Sequence, residues 1–394
     1  MDSHFEELYK TNEMLIHILK CAILDANINL ELKDVNLKEL FSLAQKHGVD
    51  NILYYALKKK EIPQDVMVLC QKSLFAATII DSKQEHYVKI LSEKFSENNI
   101  KFMLLKGHIL KKLYPSSDMR KSGDVDILFE NSDSEKIKNL MIENGFDVVE
   151  YGEHHIHDEY KKDGVFIEMH RSLISEKYFE WGKMCNRIEK SWILKNGCEY
   201  ELNDEDYYLY MIAHMAKHMK YGGIGIRFIL DLWIYLDRYE DILNWKYINK
   251  ELEDNGLLVF EQLCKKLSGI WFKDDKHTEI TAELEYYIIT GSLFGLKSRY
   301  VLSDYVINQG AKKMTPWKKV KRLLSAIFLS YSMMCGKYPI LVKCPILLPF
   351  CWAHRAFKAL FFKQDRVKEI ANYYDDIKIS EAEKMESFKK SIGL

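Results

Sequence analysis

The chain of 394 residues has six prolines and 18 glycines, few for its length, which argues against long loops and for a largely helical molecule. Its eight cysteines (21, 70, 185, 198, 264, 335, 344 and 351) are scattered and contain no CxxC pair. That distribution suits free thiols in a reducing cytoplasm better than a disulfide framework. No uninterrupted apolar run reaches the ~18 residues a spanning helix needs. The opening MDSHFEELYKTNEML carries acidic residues and no apolar core of a secretory signal. Neither sign of charge prevails: a net charge of −1 excludes polyanion binding by bulk charge. The expectation is a globular, cytoplasmic protein.

One stretch lacks acid altogether. Between Tyr305 and Gln364 there is no Asp or Glu, against eleven Lys and Arg. KKMTPWKKVKRLLSAIFLSY mixes that charge with Trp317, Leu323, Leu324, Ile327 and Phe328. Such a segment suits peripheral contact with an anionic membrane through 312–363, at the inner membrane surface, or contact with nucleic acid. A helix whose apolar side packs on the core, with its charges solvated, accounts for it equally well. Pro339, Pro345 and Pro349 forbid a spanning helix here.

What the chain does have changes periodicity twice. Residues 1–96 read as successive helices, with Leu37, Leu40, Phe41, Leu43 and Ala44 at helical spacing and Gly48 as a C-cap. At NNIKFMLLKG the apolar residues Ile100, Phe102 and Leu104 alternate as in a half-buried strand ending at Gly107. A short helix, HILKKLY, stops at Pro115, and DVDILF follows as a second strand. SDSEKIKNLMIENG is an amphipathic helix ending at Gly145. FDVVEYGE, HHIHDEYKK and VFIEMHRSL read as three more strands, the last two joined by the hairpin signal Asp163-Gly164. The expected fold is α+β: a small mixed-sheet core at 97–175, flanked by helical regions at 1–96 and 176–394, the latter containing the basic segment 305–364.

Asp124 and Asp126 share one face of the DVDILF strand and so converge, which is costly unless a cation lies between them or they sit solvated at a frayed edge. Glu168, inside VFIEMH, is a third charge in an apolar strand, and His170 shares its face. A Mg²⁺ ion takes one or two carboxylates and keeps other positions for phosphate oxygens. Lys106-Gly107 ends a strand at the start of a helix, a turn that exposes backbone N–H groups to an anion. Arg120 in the next loop offers a bidentate phosphate clamp. His214 and His218 lie on one helical face, with Arg227 and Asp231 four apart on the next helix. They read as a helix–helix contact bonded through Asp231, as the lining of an acceptor cleft with His170, or as a zinc site with His170 or His154. HHIH at 154–157 reads as an exposed edge strand.

The run LLKG…YP…R…GDVDIL…IEMHRSL resembles the uncharacterised bacterial branch of the polymerase β-like nucleotidyltransferase superfamily. That branch shows an LKG strand-turn, an arginine-bearing loop, a G-D-x-D strand and a later ELH strand. The likeness extends to AQKHGVDNILYYAL, to AHMAKHMKYGGIGIRFILDLWIYL and to YPILVKCPILLPFCWAHR, and so covers most of the chain. It departs from the superfamily in having His108 after Gly107, where serine is usual, and in a longer spacing from Gly107 to Asp124.

The resemblance implies metal-dependent transfer of a nucleoside monophosphate from an NTP such as ATP to a hydroxyl-bearing acceptor, with pyrophosphate release. The acceptor classes are a sugar phosphate, a peptide, a protein side chain, RNA or a small metabolite. Asp124, Asp126 and Glu168 would hold Mg²⁺ (or Mn²⁺), and Lys106, Gly107, Arg120, Ser122 and Gly123 would bind the nucleotide. Glu168 is one candidate general base. The rival reading is a catalytically silent module that kept the fold and binds at a membrane surface or in a complex.

Overall fold

The computed structural model describes residues 3–25, 32, 35–152, 157–176, 179–273, 275–310, 328–338, 340–362 and 377–394. Four helices come first: α1 (Ser3–Leu24), α2 (Leu37–Lys46), α3 (Leu53–Leu57) and α4 (Gln64–Glu97). Asn36 caps α2 by accepting the Glu39 N–H, and Gly48 follows its C-terminus at φ +69°, the left-handed turn that a glycine makes cheaply. The mixed region then runs β1 (Phe102–Leu104), α5 (Lys106–Leu110), β2 (Asp124–Phe129), α6 (Ser134–Glu143), β3 (Asp147–Glu150), β4 (His157–Lys162) and β5 (Val165–His170). Asp163 and Gly164 both take positive φ, +47° and +84°, as a two-residue hairpin turn requires.

Beyond residue 175 the chain is not helical throughout. After α7 (Gly182–Ile188), β6 (Ile193–Asn196) and β7 (Glu199–Glu201) form a second hairpin that joins the same sheet. The sheet has seven strands in the order β3-β4-β5-β2-β1-β7-β6. β2 pairs parallel with β5 and β1 parallel with β7, while the other neighbours are antiparallel. The carboxylate strands β2 and β5 are therefore interior, not frayed edges.

Helices α8 (Asp204–Tyr221), α9 (Ile226–Tyr239), α10 (Trp245–Asp254), α11 (Leu258–Lys273), α12 (Glu279–Ile289) and α13 (Lys297–Gln309) follow. Two apolar clusters sandwich the sheet. Val125, Ile127, Ile167 and Met169 pack with Leu91 and Phe95 of α4 and with Ile137 and Met141 of α6. Met103, Leu105 and Leu128 face the other way, into a larger cluster built from α1–α3, α8, α9, α11 and α12. Because both faces of β1 are covered, Phe102, Met103 and Leu104 are all buried, and the expected half-buried pattern is absent.

Within the basic segment, residues 311–327 lie outside the described residues. Its described part holds α14 (Tyr331–Lys337), α15 (Ile340–Lys343) and α16 (Leu348–Phe362), and α17 (Ile379–Ser391) ends the chain. Among the described residues no helix is long and apolar enough to cross a membrane.

Candidate active site

Strand register assembles the acidic cluster. Asp124 and Asp126 leave the same face of β2, and the parallel pairing with β5 sets Asp126 opposite Glu168. Leu128 stands opposite His170, and the antiparallel β4 sets His157 opposite His170. Asp124, Asp126, His157, Glu168 and His170 all line one cavity of about 780 Å³. That volume falls within the range of small-molecule sites.

The charges in this cluster are unequally matched. Asp126 is buried and accepts from Lys106 Nζ at 2.5 Å and from His170 Nε2 at 2.6 Å. Burial would raise its pKa, but the Lys106 ammonium and His170 outweigh that and hold the carboxyl well below its usual range. Glu168 lies 3.3 Å from His170 Nε2 and 3.5 Å from His157 Nε2. Burial opposes its ionisation, yet the contact with His170 keeps its pKa low. Asp124 forms no ion pair among the described residues. Desolvation first, then the negative charges of Asp126 and Glu168, push it up to about 6. A half-buried carboxylate in that state calls for a cation.

The turn after β1 is tightly built. Lys106 sits at φ +41°, a left-handed conformation costing a non-glycine residue ~1–2 kcal/mol. The Tyr207 hydroxyl donates to its carbonyl at 3.1 Å. At Gly107 a Cβ would fall 2.6 Å from Ser122 Oγ and 2.8 Å from Arg120 Nη1, so only glycine lets the loop lie against the turn. Ser122 Oγ in turn donates to the Asp124 carbonyl at 2.8 Å, bracing the start of β2. Gly123 lines the cavity with open space where its Cβ would be.

Arg120 does not offer a free fork to phosphate. Its Nε and Nη2 both donate to Asp231, at 2.8 Å each, and only Nη1 is left toward Gly107. His108 points away from the cavity, buried 3.6 Å from Glu85. The usual serine position is thus a packing site in this chain.

His214 and His218 line the same cavity, their Nε2 atoms 3.1 Å apart. Asp231 is not their partner, because it is taken by Arg120 and by the Tyr114 hydroxyl at 2.7 Å. Desolvation keeps both rings neutral, His218 at about 3. Phe228 and Phe294 flank His218, with ring centroids 5.6 and 5.2 Å away. Among the described residues the donor group with metal-ligand geometry is His157, Glu168 and His170, whose ligand atoms lie within 4.8 Å of one another. His154, invoked for a zinc site, lies outside the described residues.

Three cavity residues escaped the sequence reading. His157 was placed on an exposed edge, but β3 and β5 flank β4 and turn it inward. Tyr210 and Lys217 of α8 also line the cavity. Their signal was the spacing 210, 214, 217, 218, which puts polar groups on one face of a helix that is otherwise buried.

No curated protein and no solved structure matches the chain. A family model described as an uncharacterised nucleotidyltransferase matches residues 33–273, a span that includes α2 to α11 and every strand of the sheet. The chain belongs to this nucleotidyltransferase family.

Proposed function

We propose that the protein is a metal-dependent nucleotidyltransferase of the polymerase β-like type, moving a nucleoside monophosphate from an NTP to a hydroxyl-bearing acceptor. One observation carries this reading: Asp124, Asp126 and Glu168 share a face of the sheet at one cavity, and the charges of Asp126 and Glu168 on Asp124 outweigh those of Lys106 and His170. Family membership supports the class of reaction, and the carboxylates support this cavity as its site.

The donor set fits a divalent cation. Asp124 and Asp126 offer hard oxygen ligands, Glu168 a third, and His157 and His170 adjoin them with nitrogen. Oxygen donors suit Mg²⁺, while nearby imidazoles make Mn²⁺ acceptable. The Lys106 ammonium, resting on Asp126, is itself a cation at the point where these groups converge. When bound, the metal would offset the charge that develops on the phosphate oxygens.

In the reaction the acceptor oxygen bonds to the α-phosphorus while the bridging P–O bond to the β-phosphate breaks, and pyrophosphate leaves with the bonding electrons. The hydroxyl proton passes to the Glu168–His157 pair, in which burial keeps His157 neutral. Lys106 orients Asp126, and Ser122 fixes the strand end that carries Asp124. The acceptor enters along the aromatic wall of His218, Phe228 and Phe294.

The test is pyrophosphate release from each NTP with Mg²⁺ or Mn²⁺ and a panel of acceptors. Wild-type turnover that is absent in Asp126→Asn supports the reading. Nucleotide binding without metal dependence or turnover would favour the silent module instead.

Exposed Ile346, Phe350 and Phe357, in a stretch free of acidic residues, support a second, peripheral contact with anionic lipid. Flotation with vesicles of phosphatidylglycerol, but not with neutral vesicles, is the expected result.

A further inference from the structure

The cavity holds cations that the acidic cluster does not neutralise. Lys106 is spent on Asp126, Lys121 on Asp50 at 2.7 Å, and Arg120 on Asp231. Two others are different. Lys217 lines the cavity and makes no hydrogen bond or ion pair among the described residues. Arg227 is buried, gives Nη1 to the Lys121 carbonyl at 2.8 Å, and forms no ion pair among the described residues. Desolvation, with the like charge of Lys106, lowers the pKa of Lys217, and the more weakly felt Asp126 and Glu168 do not offset it.

A third group points the same way. The Tyr210 hydroxyl is buried with no hydrogen-bond partner among the described residues, although Tyr210 lines the cavity. A hydroxyl left unpaired in such a place is costly unless a ligand accepts from it. Tyr210 and Lys217 lie two helical turns apart on the face of α8 that also carries His214. The turn at Lys106-Gly107, by contrast, is filled by Ser122 and Arg120 and opens a helix of only five residues.

We propose that Lys217, aided by Tyr210 and Arg227, binds the polyphosphate tail of the nucleotide, so that anion recognition lies on α8 and α9 and not at the turn after β1. The ligand class is a linear polyphosphate: the β- and γ-phosphates of an NTP before transfer, and pyrophosphate after it. In the cavity that the carboxylates also line, these three groups present an ammonium, a guanidinium and a hydroxyl, all donors. The β- and γ-phosphates then run from the metal-binding carboxylates to the helix. The identity of the ligand as a nucleotide rests on the nucleotidyltransferase reading; the anion site itself does not.

The experiment is isothermal titration of the full chain with inorganic tripolyphosphate in the presence of Mg²⁺, for wild type, Lys217→Met and Lys217→Arg. Loss of a charge-assisted contact corresponds to roughly 10–100-fold in affinity. The expected result is weakening on that scale in Lys217→Met, with most of the affinity kept in Lys217→Arg and with unchanged thermal melting in both. The KM for the NTP should rise in parallel in Lys217→Met. Wild-type affinity in Lys217→Met would overturn the proposal, as would a wild type that binds no tripolyphosphate. Pyrophosphate release is scored separately: release with unaltered polyphosphate binding in Lys217→Met leaves the enzyme reading intact and removes this site. Lysine-dependent polyphosphate binding without release does the reverse.

Discussion

Arg120 and Asp231, 111 residues apart in the chain, meet through two parallel hydrogen bonds of 2.8 Å, Nε to Oδ1 and Nη2 to Oδ2. This fork ties the loop before β2 to α9, and the Tyr114 hydroxyl adds a third bond to the same carboxylate. Both charges are buried, so removing one strands the other. Asp231→Ala should lose about 3–5 kcal/mol of unfolding free energy by urea titration. Replacing both by apolar residues of similar volume should cost less than the single change.

The two aspartates of β2 should respond to neutralisation with opposite sign. Asp124 is pushed up to about 6 from 3.8, so its ionised form burdens the folded state. That displacement corresponds to at most ~3 kcal/mol. In chelator, Asp124→Asn should therefore raise the melting temperature at pH 7. The gain is full above pH ~6 and disappears below pH ~4, where wild-type Asp124 is protonated in both states. Asp126→Asn deprives Lys106 and His170 of their shared acceptor and should lower the melting temperature. Both variants should lose pyrophosphate release. Equal shifts of melting temperature would contradict the charge pattern described above.

The acidic cluster was legible in the sequence because strand alternation and a two-residue turn leave little freedom. Once DVDILF is a strand and Asp163-Gly164 a hairpin, Asp124, Asp126, Glu168 and His170 can share a face, and they do. The second hairpin was missed although Asn196 and Gly197 carry a turn signal. Its strands are short, and β6 is exposed along its length, so no apolar alternation marks them. At Lys217 and His157 the signal is weak for another reason. Polar residues on a helix or at a strand start ordinarily face water, and only the packing of α8 and of β3 against their neighbours turns these two inward. Arg120 illustrates the converse: its type suits phosphate, but its partner is decided by α9, far off in sequence.

His47 should make stability pH-dependent. It lies in the core after α2, where Nδ1 accepts the Ile226 N–H at 3.2 Å and Nε2 approaches the Ile289 carbonyl at 3.4 Å. Burial lowers its pKa to about 4. The unfolded chain binds a proton near pH 6.5 and the folded one does not, so stability is complete above pH ~6.5 and falls as pH drops toward ~4. His47 supplies at most ~3 kcal/mol of that loss. His108 and His218, both lowered to about 3, add to it with the same sign. Thermal melting from pH 4 to 7 should show a shallower slope in His47→Gln than in wild type.

Gly295 links backbone packing to the aromatic wall of the cavity. At φ +78° its Cβ would fall 2.0 Å from the carbonyl carbon of Gly222, at the end of α8. The loop before α13 therefore touches the GGIG break backbone to backbone, and Phe294 is carried against His218 at 5.2 Å. Gly256, at φ +68°, has open space at the same atom and serves as the control. Gly256→Ala should cost only the left-handed strain, ~1–2 kcal/mol. Gly295→Ala must in addition move one of two backbones, raising the cost by ~1–3 kcal/mol. Because the displaced segment carries Phe294, Gly295→Ala should also change the KM for the acceptor, while Gly256→Ala leaves it alone. Comparable stability losses in the two variants, with no change in KM, would show that the contact between the loop and α8 does not shape the cavity.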